Sequence, residues 1–551
     1  MVHPSDTEAW KALDDFDPDF AKDPRNVRIG LATDGFTPFT DNAASYSCWP
    51  VFAIPYNLPP ALCMKYEFMF LTLIIPGPEH PGPKLNVMLQ PLIEELQKLW
   101  KGVEAYDSYK KQRFNLRAAF LWSVHDLKAY ALFAGWCVAG TLTCPICKKD
   151  TDCFRLKHGG KVSYFDCHRC FLPQNHPFRL QRNAFRKDTV ITKGPPKRLS
   201  GNEIAEQLNN LVLGEDGKHY EGYGEEHNWT HICGIWELPY AKSLILMHNI
   251  DVMHQEKNVA ESIIMTCMDF AGKSKDNVKA RKDLAEICNR PKLHLNETGG
   301  KPHAPFAVWP PEKKEIMLWL KKLKFPDGFA AGFRRAPNMK TMKLTGLKSH
   351  DYHILMERLI PVMFRGYLPE DVWYTLAELS FFYRQLCAKE IKKETMEKLE
   401  KEMPVLLCKL EKIFPPGWFN PMQHLLIHLA YEAKVGGPVQ YRWMYHIERA
   451  LKKLRPMVGN KARVEGCIAE QFKYKEIAYF TSVYFAEDHK MKSTSARYHT
   501  NQDLPCSDLE IFRSDGITVG VGKAYHLTQQ SRNQALIYMY YNIDEITPYF
   551  E

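Results

Sequence analysis

The chain has 551 residues and a formal net charge of +9, with 45% hydrophobic, 12% aromatic and 25% charged residues, an ordinary globular composition long enough for one large core with an insertion or for two to three domains. It has no apolar run of membrane-spanning length, and its start, MVHPSDTEAWKALDDFDPDF, is acidic without an apolar stretch, so neither a membrane association nor a secretory leader is expected. Fifteen dilute cysteines, odd in number, fit a reduced compartment with thiols free for metal better than a disulfide framework.

After a lead segment (1–25), residues 26–190 are expected to form an α/β core. Val27 to Ala32 (VRIGLA), Trp49 to Tyr56 (WPVFAIPY) and Phe68 to Ile75 (FMFLTLII) read as strands bounded by Pro and Gly. Lys84 to Trp100 has helical periodicity, with Pro91 expected to kink it, and Phe114 to Val124 reads as a fourth strand running into His125-Asp126. Three strands, a crossover helix and a fourth strand describe a ribonuclease-H-like core, a mixed sheet with flanking helices. Residues 191–345 read as a large, mostly helical insertion and 346–478 as a helical part completing the core, including Glu390 to Phe414 with a break at Pro404. Residues 479–551 read as a small β-rich segment.

Three acids stand where such a core would bring them together: Asp34 after the first strand, Asp126 after the fourth, and Glu448 on a helical stretch. Carboxylates supply the hard oxygen ligands with which paired divalent cations hold the attacking and leaving oxygens of a phosphodiester. Taken singly, Asp34 before Gly35 also fits a turn, Asp126 a helix N-cap, and Glu448 a surface ion pair. Glu465 is the alternative third acid.

Cys144-Pro-Ile-Cys147 has the spacing with which two thiolates share a zinc ion. Its partners are expected to be His424 and His428, at i, i+4 on one helical face. The local alternative is His168 with His176. Two further constellations, His248, Asp251, His254 and Glu256, and His350, Asp351 and His353, fit a site or a polar helix junction. Two basic stretches, Arg179 to Arg198 and Arg449 to Arg463, fit a polyanionic partner or solvated faces. Walker, GxGxxG and GxSxG signatures are missing from the sequence.

The blocks DPRNVRIGLATDGFTPF, SYSCWPVFAIPYNLPP, CPICKKDT, YFDCHRCFLPQNHPFR, HNIDVMHQEKNV, LKSHDYHILMERLIPV and YRWMYHIERALKKL, in this order, resemble plant transposases of the En/Spm (CACTA) class. The resemblance covers nearly the whole chain. It implies a cut-and-paste enzyme with a ribonuclease-H-like DDE core, Asp34 and Asp126 as the first two acids and Glu448 as the third, holding two Mg²⁺ or Mn²⁺ ions. It further implies DNA (transposon ends and target) as partner, a homo-oligomer and a nuclear location. The order of acid, CxxC, HxxxH and Glu is also similar to that of the recombination-activating recombinase, which favours a structural zinc on Cys144, Cys147, His424 and His428. Cys170 stands where the class usually carries Arg. The class also usually carries a DNA-binding module ahead of the core, whereas this sequence opens almost at the core. The alternative expectation is therefore a domesticated or truncated nuclear DNA- or protein-binding scaffold without catalysis.

Overall fold

The computed structural model describes residues 1–39, 46–187, 189–325, 329–330, 332–485 and 526–542. Its larger unit, Met1–Phe325 with Ala330–Glu476, is a mixed α/β body. A five-stranded sheet is formed by β1 (Val27–Thr33), β2 (Trp49–Pro55), β3 (Phe70–Ile75), β4 (Ala118–His125) and β5 (His248–Ile250), ordered β3-β2-β1-β4-β5. β1 and β2, like β2 and β3, pair antiparallel; β4 lies parallel to both β1 and β5. All eight residues of β4 are buried, the near-continuous apolar run expected of a central strand covered on both faces.

The helix α1 (Leu85–Lys101) crosses between β3 and β4, burying Leu85, Leu89, Ile93, Leu96 and Trp100 at helical spacing. Pro91, expected to kink it, lies within this continuous helix. Nor does the fourth apolar run form one strand. Its first residues belong to a hairpin of Val103–Asp107 and Gln112–Leu116, and β4 starts only at Ala118. From β4 the chain enters α2 (Leu127–Ala134), and from β5 it enters α3 (Val252–Cys267).

Downstream the larger unit is mainly helical. The helices that matter to the site are α4 (Lys393–Ile413), α5 (Pro421–Gly436), α6 (Tyr445–Leu454) and α7 (Val464–Tyr484), the last belonging to this unit up to Glu476. α4 runs unbroken through Pro404. One apolar core lies around the sheet (Leu31, Phe52, Phe120, Trp122, Ile447) and a second among the helices (Ile263, Leu355, Leu407, Leu426).

The second unit is Pro326–Phe329 with Ile477–Glu551. The expected β-rich ending is corrected where it is described: residues up to Tyr484, and Gln529–Asn542, are helical, and the rest of that segment lies outside the described residues. No described helix is long and apolar enough to cross a membrane.

Candidate functional site

The sheet register sets the first two acids side by side. Ala32 pairs with Val124 across the parallel β1–β4 ladder, so the strands end together at Thr33 and His125 and release Asp34 and Asp126 next to each other. Buried His125 marks the junction, its Nδ1 lying 3.2 Å from the Thr33 carbonyl oxygen, and burial pushes its pKa down to about 4. Asp126 is also the N-cap of α2: its Oδ1 accepts the backbone N–H of Ala129 at 2.7 Å. The cap and the candidate site therefore share one residue.

Glu448, on the first turn of α6, faces the same point. Burial drives the Asp34 carboxyl up to about 7; nearby Asp126 and, more weakly, Glu448 add to this, while the Gly35 N–H and His254 oppose it. Glu448 is likewise raised by burial and by Asp251 and Asp126, against the pull of His254. Three carboxylates thus feel one another in a partly desolvated place.

His254 is the countercharge. Its Nε2 lies 3.4 Å from Glu448 Oε1, and its Nδ1–H donates to Asp251 Oδ2 at 2.5 Å. Although burial opposes its protonation, Asp251, Glu448 and Asp126 hold its pKa up at about 9. Asp251 does more than orient this ring. It N-caps α3 through the N–H groups of Met253 and His254, and its Oδ1 accepts the N–H of Met444 at 2.9 Å, at the start of α6.

The remaining candidates fall elsewhere. Glu465 accepts from Tyr46 Oη at 2.5 Å and from the Gly77 N–H at 3.1 Å, clasping loops rather than joining the three acids. His248 is half-buried, with Nδ1 at 2.6 Å from Ser123 Oγ. Asp351 accepts the Lys348 N–H at a helix start, His350 lies ring to ring with Tyr445 at 6.2 Å, and His353 pairs with Glu256 at 2.7 Å.

A second centre joins the loop after α2 to α5. Cys144, Cys147, His424 and His428 are all buried, and one ligand atom from each lies within 4.8 Å of all the others. The sulfur-to-Nε2 separations are 3.3 Å for Cys144–His428 and 3.4 Å for Cys147 with either histidine, close to the ~3.5 Å edge of a tetrahedron built from zinc–sulfur and zinc–nitrogen bonds. These four residues fit a zinc ion. Burial disfavours a Cys144 thiolate, but Cys147 and the two imidazoles overcome it and hold Cys144 well below the ordinary thiol range.

The local alternative is not what the geometry assembles. His168 stands behind His424, its Nε2 at 3.2 Å from His424 Nδ1 and its Nδ1 at 2.6 Å from Glu411 Oε1, and His176 caps the helix Pro177–Leu180. A ligand imidazole held by a second ring and a carboxylate is the usual way of fixing which nitrogen faces the metal. The third residue on the α5 face, Glu432, accepts the Ile250 N–H of β5 at 3.1 Å and lies 3.6 Å from the buried Arg442 guanidinium. α5 therefore joins the Cys/His centre to the sheet edge. The i+4 spacing from His428 signals Glu432 in sequence, whereas nothing there signals Glu411.

The basic stretches behave differently. Arg179 is buried and donates to the carbonyls of Cys170, Leu172, Ile191 and Lys193, while Arg186 and Arg198 pair with Asp166 and Glu400. That stretch is largely structural. By contrast Arg449, Lys452, Lys453, Arg455, Lys461 and Arg463 are exposed, and among the described residues none of them has a carboxylate within 4.0 Å.

A mixed sheet thus ends two strands in adjacent acids, with a third on a distant helix and a buried Cys₂His₂ group besides. Residues 1–211 match the model of the transposase family tnp2, and residues 386–500 match a domain of unknown function (DUF4218). The chain carries a tnp2 transposase domain and is transposase-derived. Its first matched segment holds Asp34, Asp126, Cys144 and Cys147; the second holds His424, His428 and Glu448. No curated protein matches the chain.

Proposed function

We propose that the chain is a metal-dependent DDE transposase of the En/Spm (CACTA) class, cutting DNA at transposon ends and joining it to a target, with Asp34, Asp126 and Glu448 as the catalytic carboxylates. The observation that carries this reading is geometric: the β1–β4 register ends both strands together at Asp34 and Asp126, and Glu448, from a distant helix, lies 3.4 Å from His254, whose charge also bears on Asp34 and Asp126. The strand order β3-β2-β1-β4-β5, with only β2 running against its neighbours, supports a ribonuclease-H-like core.

The donor set fits divalent cations. The oxygens are hard, and Asp34, raised chiefly by burial and further by Asp126, is a carboxylate whose charged form a bound cation would stabilise. Asp34, Asp126 and Glu448 would hold Mg²⁺ or Mn²⁺, and two such ions, when bound, would supply an activated water and stabilise the departing 3′ oxygen. The chain's own residues prepare that place. Asp126 is fixed by its cap bond to Ala129, Glu448 by α6, and α6 by Asp251. His254, charged at neutral pH, balances Glu448 and can position a scissile phosphate. The exposed cations from Arg449 to Arg463 continue α6 beyond Glu448 and provide a grip on the DNA backbone. The Cys₂His₂ centre, with zinc, ties the loop after α2 to α5. Synapsis of two DNA ends calls for a homo-oligomer, and its substrate places the enzyme in the nucleus.

The test uses purified chain, Mg²⁺ or Mn²⁺, and DNA carrying the terminal repeats that flank its own coding sequence. Wild type should nick and join these ends, and Asp126→Asn should do neither. Equal behaviour of the two would reject the catalytic reading. Stable, metal-independent DNA or protein capture without cleavage would favour a scaffold.

A further inference from the structure

Away from the acids and the Cys/His centre, a third cluster of ligand-type side chains gathers Glu256 on α3, His353 and Glu357 beyond it, and Cys387 just after the helix Glu370–Leu386. One ligand atom from each lies within 4.8 Å of all the others. The sequence separates them widely, and neither matched segment contains Glu256, His353 or Glu357.

Three observations argue for a ligand here. Glu256 is 1% exposed, yet its Oε1 has no hydrogen-bond partner while Oε2 takes His353 Nδ1 at 2.7 Å. An unpaired oxygen on a buried carboxylate is unfavourable, and a bound cation would offset that. His353 Nε2 also faces Glu357 Oε2 at 3.6 Å, so one ring lies between two carboxylates. Finally, Glu357 sits at the centre of a π-helical turn, Leu355–Leu359, between α-helical segments. Such single turns recur where a side chain must be re-aimed for a functional site.

We propose that Glu256, His353, Glu357 and Cys387 form a second zinc site. The mixed donor set of a thiolate, an imidazole and two carboxylates suits zinc and disfavours Mg²⁺, which avoids sulfur. Binding would release the Cys387 thiol proton and the proton held between His353 and Glu256, leaving four deprotonated ligands. A zinc tetrahedron has edges of roughly 3.3–3.8 Å, and the 3.6 Å between His353 Nε2 and Glu357 Oε2 already falls in that range. The site would brace α3, whose His254 lies two residues before Glu256, against the turn Leu355–Leu359 and the end of the helix Glu370–Leu386.

Metal analysis of the full-length chain purified with Zn²⁺ tests this. The expected content is two zinc ions per chain, falling to one in Cys387→Ser and also to one in Cys144→Ser. Mass-spectrometric alkylation of wild type gives a readout that needs no variant: Zn²⁺ added to chelator-treated protein should protect Cys387 from iodoacetamide several-fold. A content of one that only Cys144→Ser removes, or equal alkylation of Cys387 with and without Zn²⁺, would overturn the proposal. Neither result bears on cleavage by the three acids.

Discussion

Asp251 accepts the backbone N–H of Met444 at 2.9 Å, fastening the start of α6 to the start of α3 across 193 positions of sequence. Through its other oxygen the same carboxylate holds the ring of His254. Glu448 therefore depends for its position on a residue that belongs to neither matched segment.

Asp251→Asn keeps a good N-cap for α3, since Asn caps about as well as Asp, but replaces the carboxylate that sustains the His254 charge. The pKa of His254 should fall from about 9, seen by NMR titration of the ring, and DNA cleavage at neutral pH should drop by ~10-fold or more while the folded state persists. An unmoved His254 titration would show that Glu448 and Asp126 alone sustain its charge.

Asp126 permits a separation of cap from chemistry. Asp126→Ala should lose about 1 kcal/mol of stability with the bond to Ala129, whereas Asp126→Asn should unfold in urea much like wild type. Both should lose cleavage by ~100-fold or more. If Asn retained activity, the charge at this position would not matter.

His168→Ala removes the ring behind His424 without touching a sulfur. Loss of such outer partners typically weakens metal binding by roughly 10–100-fold. Chelator competition should show a shift of that size for zinc at Cys144, Cys147, His424 and His428, and an unchanged affinity would leave the relay to Glu411 without a role.

Glu432 supplies a pH signature. Burial raises its pKa to about 7, above the ordinary 4.5, despite Arg442 and the Ile250 N–H. The folded chain thus keeps this proton when the unfolded chain has released it. The associated stability is complete below pH 4.5 and is lost as pH rises towards 7, with a slope of at most ~1.4 kcal/mol per pH unit. Glu432→Gln has no such proton, so the stability difference between wild type and variant in urea should change between pH 5 and 7 and level off above. A constant difference would contradict the assignment.

Charge reversal at Lys452 and Lys453 should weaken DNA binding equally for all sequences, and the salt slope of log K should lessen by about one for each phosphate that is no longer neutralised. Fluorescence anisotropy across a salt series measures both. Reversal at Arg186, held by Asp166, should instead destabilise the fold.

What could be read in the sequence was whatever is written locally. β1, β2, β3 and α1 announce themselves by apolar periodicity, and their observed limits differ from the expected ones by a residue or two. β5 escaped because three residues are too few to show a period, and its partners are supplied by the Ser123–His125 stretch of β4 and by Glu432. The break expected at Pro404 did not occur, because that helix has enough packed residues on either side to tolerate one missing hydrogen bond. The Cys/His spacing was legible as two half-sites. That the halves meet, and that His168 stands behind one of them, is set by tertiary packing alone, as is the union of Glu256 with His353.

The cap bond of Asp126 has a last consequence. Because α2 immobilises that side chain through Ala129, its conformational entropy has already been surrendered during folding, before any ion arrives. Recruitment of a cation then demands little further ordering there, so its occupancy should respond chiefly to ionic competition and acidity rather than to slow rearrangement of the backbone.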